Sequence, residues 1–249
     1  MDKQNQDLDI LNLAKSINLS FKLVDEKTLR RLTNEEKSHQ GVVVSCGPLK
    51  QNSVEELGWE PGTNTLIMRT RKNTTALDYQ SRHPVPAGRM PLVVVLEHVS
   101  CPSNMGMIIR NACCFGADAI VISRDSSPLS ATTSFSSGGL MELYGASRVH
   151  RASRTILGVL TAARNSGWDI VNTQVHGDTV EQYRNEKRPT ILLLGNEATG
   201  VSSSVGKLAN FNLTIKGSPL PGFENVLDSL NVAVASGILI QSLLPKLKI

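Results

Sequence analysis

Aromatic residues are scarce here: Phe, Trp and Tyr make up only 4% of 249 residues. A nucleic-acid binder that stacks successive bases on aromatic rings is therefore disfavoured. There are four cysteines, Cys46, Cys101, Cys113 and Cys114. None stands in a C-x-x-C pair and no histidine lies at a zinc spacing. A reduced, intracellular chain follows, with Cys113 and Cys114 as two buried small residues on a helix. No apolar run reaches membrane-spanning length. The longest, around Leu192 and from Val232 to Leu244, are short or interrupted by polar residues. Neither sign of charge dominates: 26 Lys+Arg against 22 Asp+Glu leave +4, which a solvated surface produces unaided. The N-terminus, MDKQNQDLDILNLAKS, has three acids, no Arg and no apolar core, so it reads as neither a presequence nor a signal peptide.

Familiar catalytic signatures are missing as well. PSNMGMIIR stands where a dinucleotide fold would place G-x-G-x-x-G, and no P-loop, H-E-x-x-H, G-x-S-x-G or EF-hand spacing occurs. The histidines, His39, His83, His98, His150 and His176, are scattered, so metal-dependent and triad chemistry are poor fits.

What remains is an ordinary globular composition, 40% hydrophobic and 19% charged, long enough for one large domain and a fragment of another. Residues 1–40 read as polar and helical, with Ile10, Leu11, Ala14 and Ile17 at helical spacing, and HQGVVVSC follows as a β-like run. Residues 47–90, rich in Pro and Gly, read as a connecting stretch with one weak strand near Leu66 to Met68. Beyond Pro91 the texture changes. PLVVVLEHV, ADAIVIS, WDIVNTQV, TILLLG and FNLTIK read as strands. Helices alternate with them: one begins at Ser103 or Asn104 and ends at Gly116, ASRTILGVLTAARNSG is amphipathic, and SLNVAVASGILIQSLL closes the chain. This alternation predicts an α/β domain with a largely parallel sheet.

Three polar, Gly-containing loops follow apolar strands, and ligands of open α/β sheets bind outside the carboxyl ends of strands. The first supplies Asn104, Gly106 and Arg110, the second is GNEATG at 195–200, and the third leads into SLNVAVA at 229–235. Singly, each has a bland explanation, such as a helix cap or a solvated acid. Together and in this order, N-x-G-x-x-x-R-x-A with F-G, L-L-G-N-E-x-x-G and S-L-N-V-x-V-A resemble the three motifs of the SpoU (TrmH) branch of the SPOUT RNA 2′-O-ribose methyltransferases. SSGGLMELY resembles that branch's Ser-x-Gly-x-x-Glu stretch.

The resemblance covers residues 90–249 and implies a SPOUT-type parallel sheet with a deep C-terminal trefoil knot, S-adenosylmethionine as cofactor, no metal, and a homodimer. LVDEKTLRRLTNEEKSHQGVVV resembles the end of a ribosomal-protein-like RNA-binding domain. The implied organisation is thus a partial accessory domain over 1–46, a linker or insertion over 47–89, and the methyltransferase domain over 90–249. Within the branch the chain looks closest to fungal mitochondrial enzymes that methylate a guanosine of large-subunit rRNA. Mitochondrial matrix is then the implied location, with cytoplasm as the alternative because no presequence is visible. A tRNA substrate, or an inactive RNA-binding assembly factor, are the rival readings.

By the same resemblance, Asn104, Arg110, Glu197, Ser229 and Asn231 are the catalytic set, with Glu197 orienting Arg110. Gly195, Asn196, Gly200, Ile215, Leu220 and Leu230 hold the cofactor. Two departures stand out: Ala233 replaces the usual Ser, and KGSPLPGFENVLD is longer than the usual turn, which bears on Leu220. Arg148, Arg151 and Arg154 cluster in RVHRASR and fit either an RNA contact or a solvated helix start.

Overall fold

A strand that is apolar along its whole length needs cover on both faces. LVVVL, AIVI and TILLL are three such strands, and the structure, a computed structural model, lays them side by side. It describes residues 3–33, 41–70, 79–180, 182–183, 187–218, 220–221 and 229–244. The chain divides into two compact units, Met1–Gly47 and Pro48–Ile249.

The first unit contains α1 (Lys3–Ser16) and α2 (Glu26–Leu32). Asp25 caps α2 by accepting the Thr28 N–H at 2.9 Å. The apolar run after Gly41 forms no strand: residues 41–46 are irregular, and Val42 and Val44 are exposed. An isolated β-like run needs a partner edge, and among the described residues none pairs with this one.

The second unit opens with β1 (Asn52–Val54), β2 (Glu56–Glu60), β3 (Thr65–Thr70) and β4 (Tyr79–Pro84). Residues 47–90 are thus richer in strand than their Pro and Gly content predicts. Gly58 lies within β2, while Pro61 and Gly62 form a one-turn 3-10 helix that reverses the chain between β2 and β3. Leu57, Leu66, Met68 and Val85 pack into the core, but outside the Leu66–Met68 run the apolar residues stand singly among Gly, Pro and polar residues, which hid the other strands.

Next come β5 (Leu92–Leu96), α3 (Pro102–Phe115), β6 (Ala119–Ile122), α4 (Ala131–Ser137), α5 (Leu140–Leu143), α6 (Gly145–Arg148), β7 (Val149–Ala152) and α7 (Ile156–Asn165). The unit ends with β8 (Asp169–Asp178), β9 (Thr190–Leu194), α8 (Ser203–Gly206), β10 (Phe211–Leu213) and α9 (Val232–Leu243). One sheet runs β1-β7-β6-β5-β9-β8-β10, every neighbour parallel, and β2-β3-β4 form a separate antiparallel sheet.

The two faces of β5 divide the core. Leu92, Val94 and Leu96 pack with Met105, Ile108, Leu239 and Ile240 of α3 and α9. Val93 and Val95 pack with Leu160 of α7 and with the small sheet. Helix α3 starts one to two residues earlier than predicted, because Pro102 at its first position needs no N–H partner there. That frees the Asn104 side chain from capping. Gly116 closes α3 at φ +85°, as a helix end demands. The cysteine pair differs from expectation: Cys113 is half-buried and Cys114 exposed, and burial pushes the Cys113 thiol up.

Two buried histidines sit near the junction of the sheets. His83 of β4 and His150 of β7 pack edge to face at 5.8 Å, with His150 fully buried. Burial pulls His83 down to about 4, and Arg148 adds to the shift. Burial also pulls His150 to about 4, His83 adding and the Ser147 carbonyl opposing. Both rings are neutral when folded, yet would protonate near 6.5 when unfolded. Between those values the unfolded state binds more protons, so stability falls as pH falls. Urea unfolding at pH 7 and pH 4.5 is expected to differ by on the order of 3 kcal/mol. His150→Asn should flatten that dependence.

Candidate active site

The three loops meet at the carboxyl edge of the large sheet. Asn104, in the first turn of α3 and almost fully buried, sits at their junction. Its Nδ2 donates to Glu197 Oε1 at 2.6 Å, while its Oδ1 accepts from Asn231 Nδ2 at 3.1 Å. Both ends of one amide are therefore used, which fixes its orientation. Asn231 is held in turn, because its Oδ1 caps α9 by accepting the Ala233 and Val234 N–H groups. Ala233 joins this frame through its backbone, its carbonyl accepting from Asn111 Nδ2 at 2.8 Å.

The second loop is a tight hairpin. Asn196 and Gly200 exchange backbone hydrogen bonds of 3.1 and 2.9 Å. The Asn196 side chain accepts from Ala198 N and Thr199 N and donates to the His98 carbonyl. This loop forms one wall of a cavity of about 440 Å³, within the range of small-molecule sites. Gly195, Asn196, Glu197 and Gly200 line it, as do Ile215, Ser229 and Leu230. Leu220 is exposed and is not among the lining residues, while Pro219 and residues 222–228 of the long turn lie outside the described residues.

Sequence reasoning missed the wall supplied by Thr173, Gln174 and Val175 of β8. The available signal was the switch from apolar to polar in WDIVNTQ, which marks the strand's carboxyl end. Among the described lining residues Glu197 is the only ionisable side chain. Such a wall suits a neutral or cationic ligand and lacks the Lys and Arg that a phosphate-rich one wants.

Arg110 departs from the expected arrangement. Glu197 engages Asn104, whereas Arg110 is exposed and lies beside Gly138 at the end of α4, where a side chain would meet its guanidinium at 3.7 Å. The C-terminal end of a helix favours a cation. Gly106, one turn earlier, lets α3 and α4 touch: a Cβ there would fall 2.4 Å from the Thr133 carbonyl oxygen.

The arginine cluster also has structural tasks. Arg148 donates to the Asp118 carbonyl at 2.7 Å, and Arg151 donates to the carbonyls of Ser123, Arg124, Ser126 and Ser127. Arg154 is exposed.

Comparison with known proteins agrees with this frame. Residues 91–241 match the SpoU rRNA Methylase family, and residues 2–51 match RNA 2′-O ribose methyltransferase substrate binding. Mitochondrial rRNA methyltransferase 1 of Dictyostelium discoideum is 30% identical over 98% of this chain and 46% of its own length. Its Saccharomyces cerevisiae counterpart is 28% identical over 94% of this chain and 61% of its own length. The chain therefore spans about half the length of the curated relatives it matches. Among solved structures, the AdoMet-bound rRNA methyltransferase of Sinorhizobium meliloti superposes with a TM-score of 0.54 at 25% identity, over 69% of this chain and 65% of that one. With motif loops, sheet order and family match in agreement, the chain belongs to the SpoU rRNA methylase family.

Proposed function

We propose that this chain transfers a methyl group from S-adenosylmethionine to a ribose 2′-hydroxyl of RNA, with a guanosine of mitochondrial large-subunit rRNA as the target. The observation that carries the reading is the Asn231–Asn104–Glu197 chain of hydrogen bonds at the rim of the 440 Å³ cavity. The wall fits the cofactor in kind. Leu194, Ile215 and Leu230 offer apolar surface for a purine, the backbone at Gly195, Asn196 and Gly200 offers polar groups, and Glu197 offers a negative charge for a sulfonium. Leu220 belongs to this set by resemblance alone.

When bound, the cofactor supplies a methyl carbon already activated by positive sulfur. Gly195, Asn196, Gly200, Ile215 and Leu230 would hold it, and it would give its methyl group to a ribose 2′-oxygen and be left as a neutral thioether. The protein's share is alignment and stabilisation of oxygen as it loses its proton. Asn104 holds the first and second loops together, while Ser229 and Asn231 present the third. Arg110 serves the developing alkoxide and a neighbouring phosphate as a cation with a planar fork of donors.

RNA contact by Arg148, Arg151 and Arg154 belongs to the same proposal. The hydrogen-bond partners of Arg148 are neutral carbonyls, so its charge stays available to a phosphate, whereas Arg151 also feels the Asp125 carboxylate. Arg154→Ala should weaken RNA binding and reduce its log–log salt slope by about 1; an unchanged slope removes Arg154 from the interface.

A knotted C-terminus, a homodimer, and division into accessory domain (1–46), insertion (47–89) and methyltransferase domain (90–249) complete the proposal. Support for the dimer comes from Met107 and Phe115 of α3 and from Val234 and Ile238 of α9. All four are substantially exposed apolar side chains on two helices that pack together. The functional test uses labelled cofactor with large-subunit rRNA and tRNA transcripts. Label in rRNA alone is expected. Label in tRNA shifts the substrate, and cofactor binding without label in either contradicts the enzymatic reading.

A further inference from the structure

The hairpin at residues 195–202 is gripped from outside the cavity, by residues that the motif resemblance does not include. Glu97, directly after β5, is 3% exposed. One carboxylate oxygen accepts the Ser202 N–H at 2.8 Å, and the other accepts the Ser202 hydroxyl at 2.6 Å. The Glu97 amide donates to the Leu194 carbonyl at 2.9 Å, just before the hairpin. His98 holds the near end of the hairpin, its carbonyl accepting Asn196 Nδ2 at 3.0 Å. To do so His98 adopts φ +57°, an uncommon conformation for a non-glycine residue and one that needs support from its surroundings.

That support comes from the loop after β6. His98 N donates to Ser123 Oγ, Val99 N to Ser126 Oγ, and the His98 ring meets Asp125 at 2.9 Å. Arg151, bonded to four carbonyls of that same loop, braces it. Residues 97–99 therefore join two loops, and only one of them lines the cavity.

A buried carboxylate is costly unless its hydrogen bonds are made. No cation pairs with Glu97 among the described residues, and both oxygens go to a single loop residue. Glutamine has one acceptor oxygen, so it can satisfy only one of the two Ser202 donors at this geometry. We propose that Glu97 is a positioning residue: with His98 it presets the 195–202 hairpin in its binding shape before the cofactor arrives. Its influence then falls on cofactor affinity and not on the transfer step. This inference rests on the functional reading above.

Two variants and their combination test it. Glu97→Gln and Ser202→Ala should each raise the calorimetric dissociation constant for S-adenosylmethionine about tenfold. The double variant should be little worse than either single, because the same contact is lost twice. With cofactor saturating, kcat should stay within about threefold, as expected for a loss confined to binding. In cofactor-free protein, amide exchange should quicken at 195–202 and not in β5 or β9. A lower melting temperature with unchanged affinity and unchanged loop exchange overturns the proposal, as do additive losses in the double variant. Wild-type protein that binds no cofactor overturns the functional reading instead, and loop exchange in Glu97→Gln still decides whether Glu97 holds the hairpin.

Discussion

Arg110→Ala is expected to slow methyl transfer by about 10²–10³-fold, the scale of losing one preorganised charge at a developing oxyanion. Cofactor affinity should stay within about twofold, because Arg110 is not among the residues lining the cavity. Single-turnover rates and calorimetry on the same preparation separate the two effects. Stability should barely change, since the side chain is exposed and among the described residues no hydrogen-bond partner holds it. Arg110→Lys distinguishes charge from shape. Lysine keeps the charge but lacks the planar fork that grips phosphate in two places, so it should restore no more than about a tenth of the wild-type rate. Near-full activity in the lysine variant would remove bidentate recognition from the account.

Gly195→Ala should abolish measurable cofactor binding, a loss of at least about 100-fold, on the scale of opening a preorganised loop. A Cβ at this position would fall 2.2 Å from the Gly200 carbonyl carbon and 2.3 Å from the Val201 nitrogen. These are backbone atoms and cannot rotate away, so the Asn196–Gly200 pairing has to open. Gly200→Ala is the control. Its φ of +67° disfavours a side chain, but nothing lies within 4 Å of the added atom. That strain is worth about 1–2 kcal/mol, so its loss of affinity should not exceed about 30-fold. Equal losses in the two variants would mean that strain, and not collision, governs the loop.

Both predictions depend on how much the sequence revealed. The parallel sheet was legible because LVVVL, AIVI and TILLL leave no polar face. The first two site loops were legible because polar, Gly-containing segments directly follow apolar strands, and the third because S-L-N-V-x-V-A completes the motif order. Residues 47–90 were not, because a short antiparallel sheet with Gly inside a strand and Pro at its turn has the composition of a linker. The partner of Glu197 was not legible either: Asn104 and Arg110 share a helix, and their spacing does not say which of them reaches the second loop. Glu97 passed unnoticed because one acid after a strand is unremarkable until its burial and its two bonds to Ser202 are known. Arg151 looked like a surface charge, since a cluster of carbonyl acceptors on a distant loop leaves no trace in sequence.

The central claim is transfer to a ribose hydroxyl, and one measurement reads it directly. Large-subunit rRNA is incubated with the protein and methyl-labelled S-adenosylmethionine, then hydrolysed in alkali. A 2′-O-methyl group blocks cleavage at its own nucleotide, so the label should appear in alkali-resistant dinucleotides. It should vanish from an otherwise identical transcript carrying a 2′-deoxy sugar at the mapped position. Label recovered in ordinary mononucleotides would mean that the methyl group went to a base and would contradict the account.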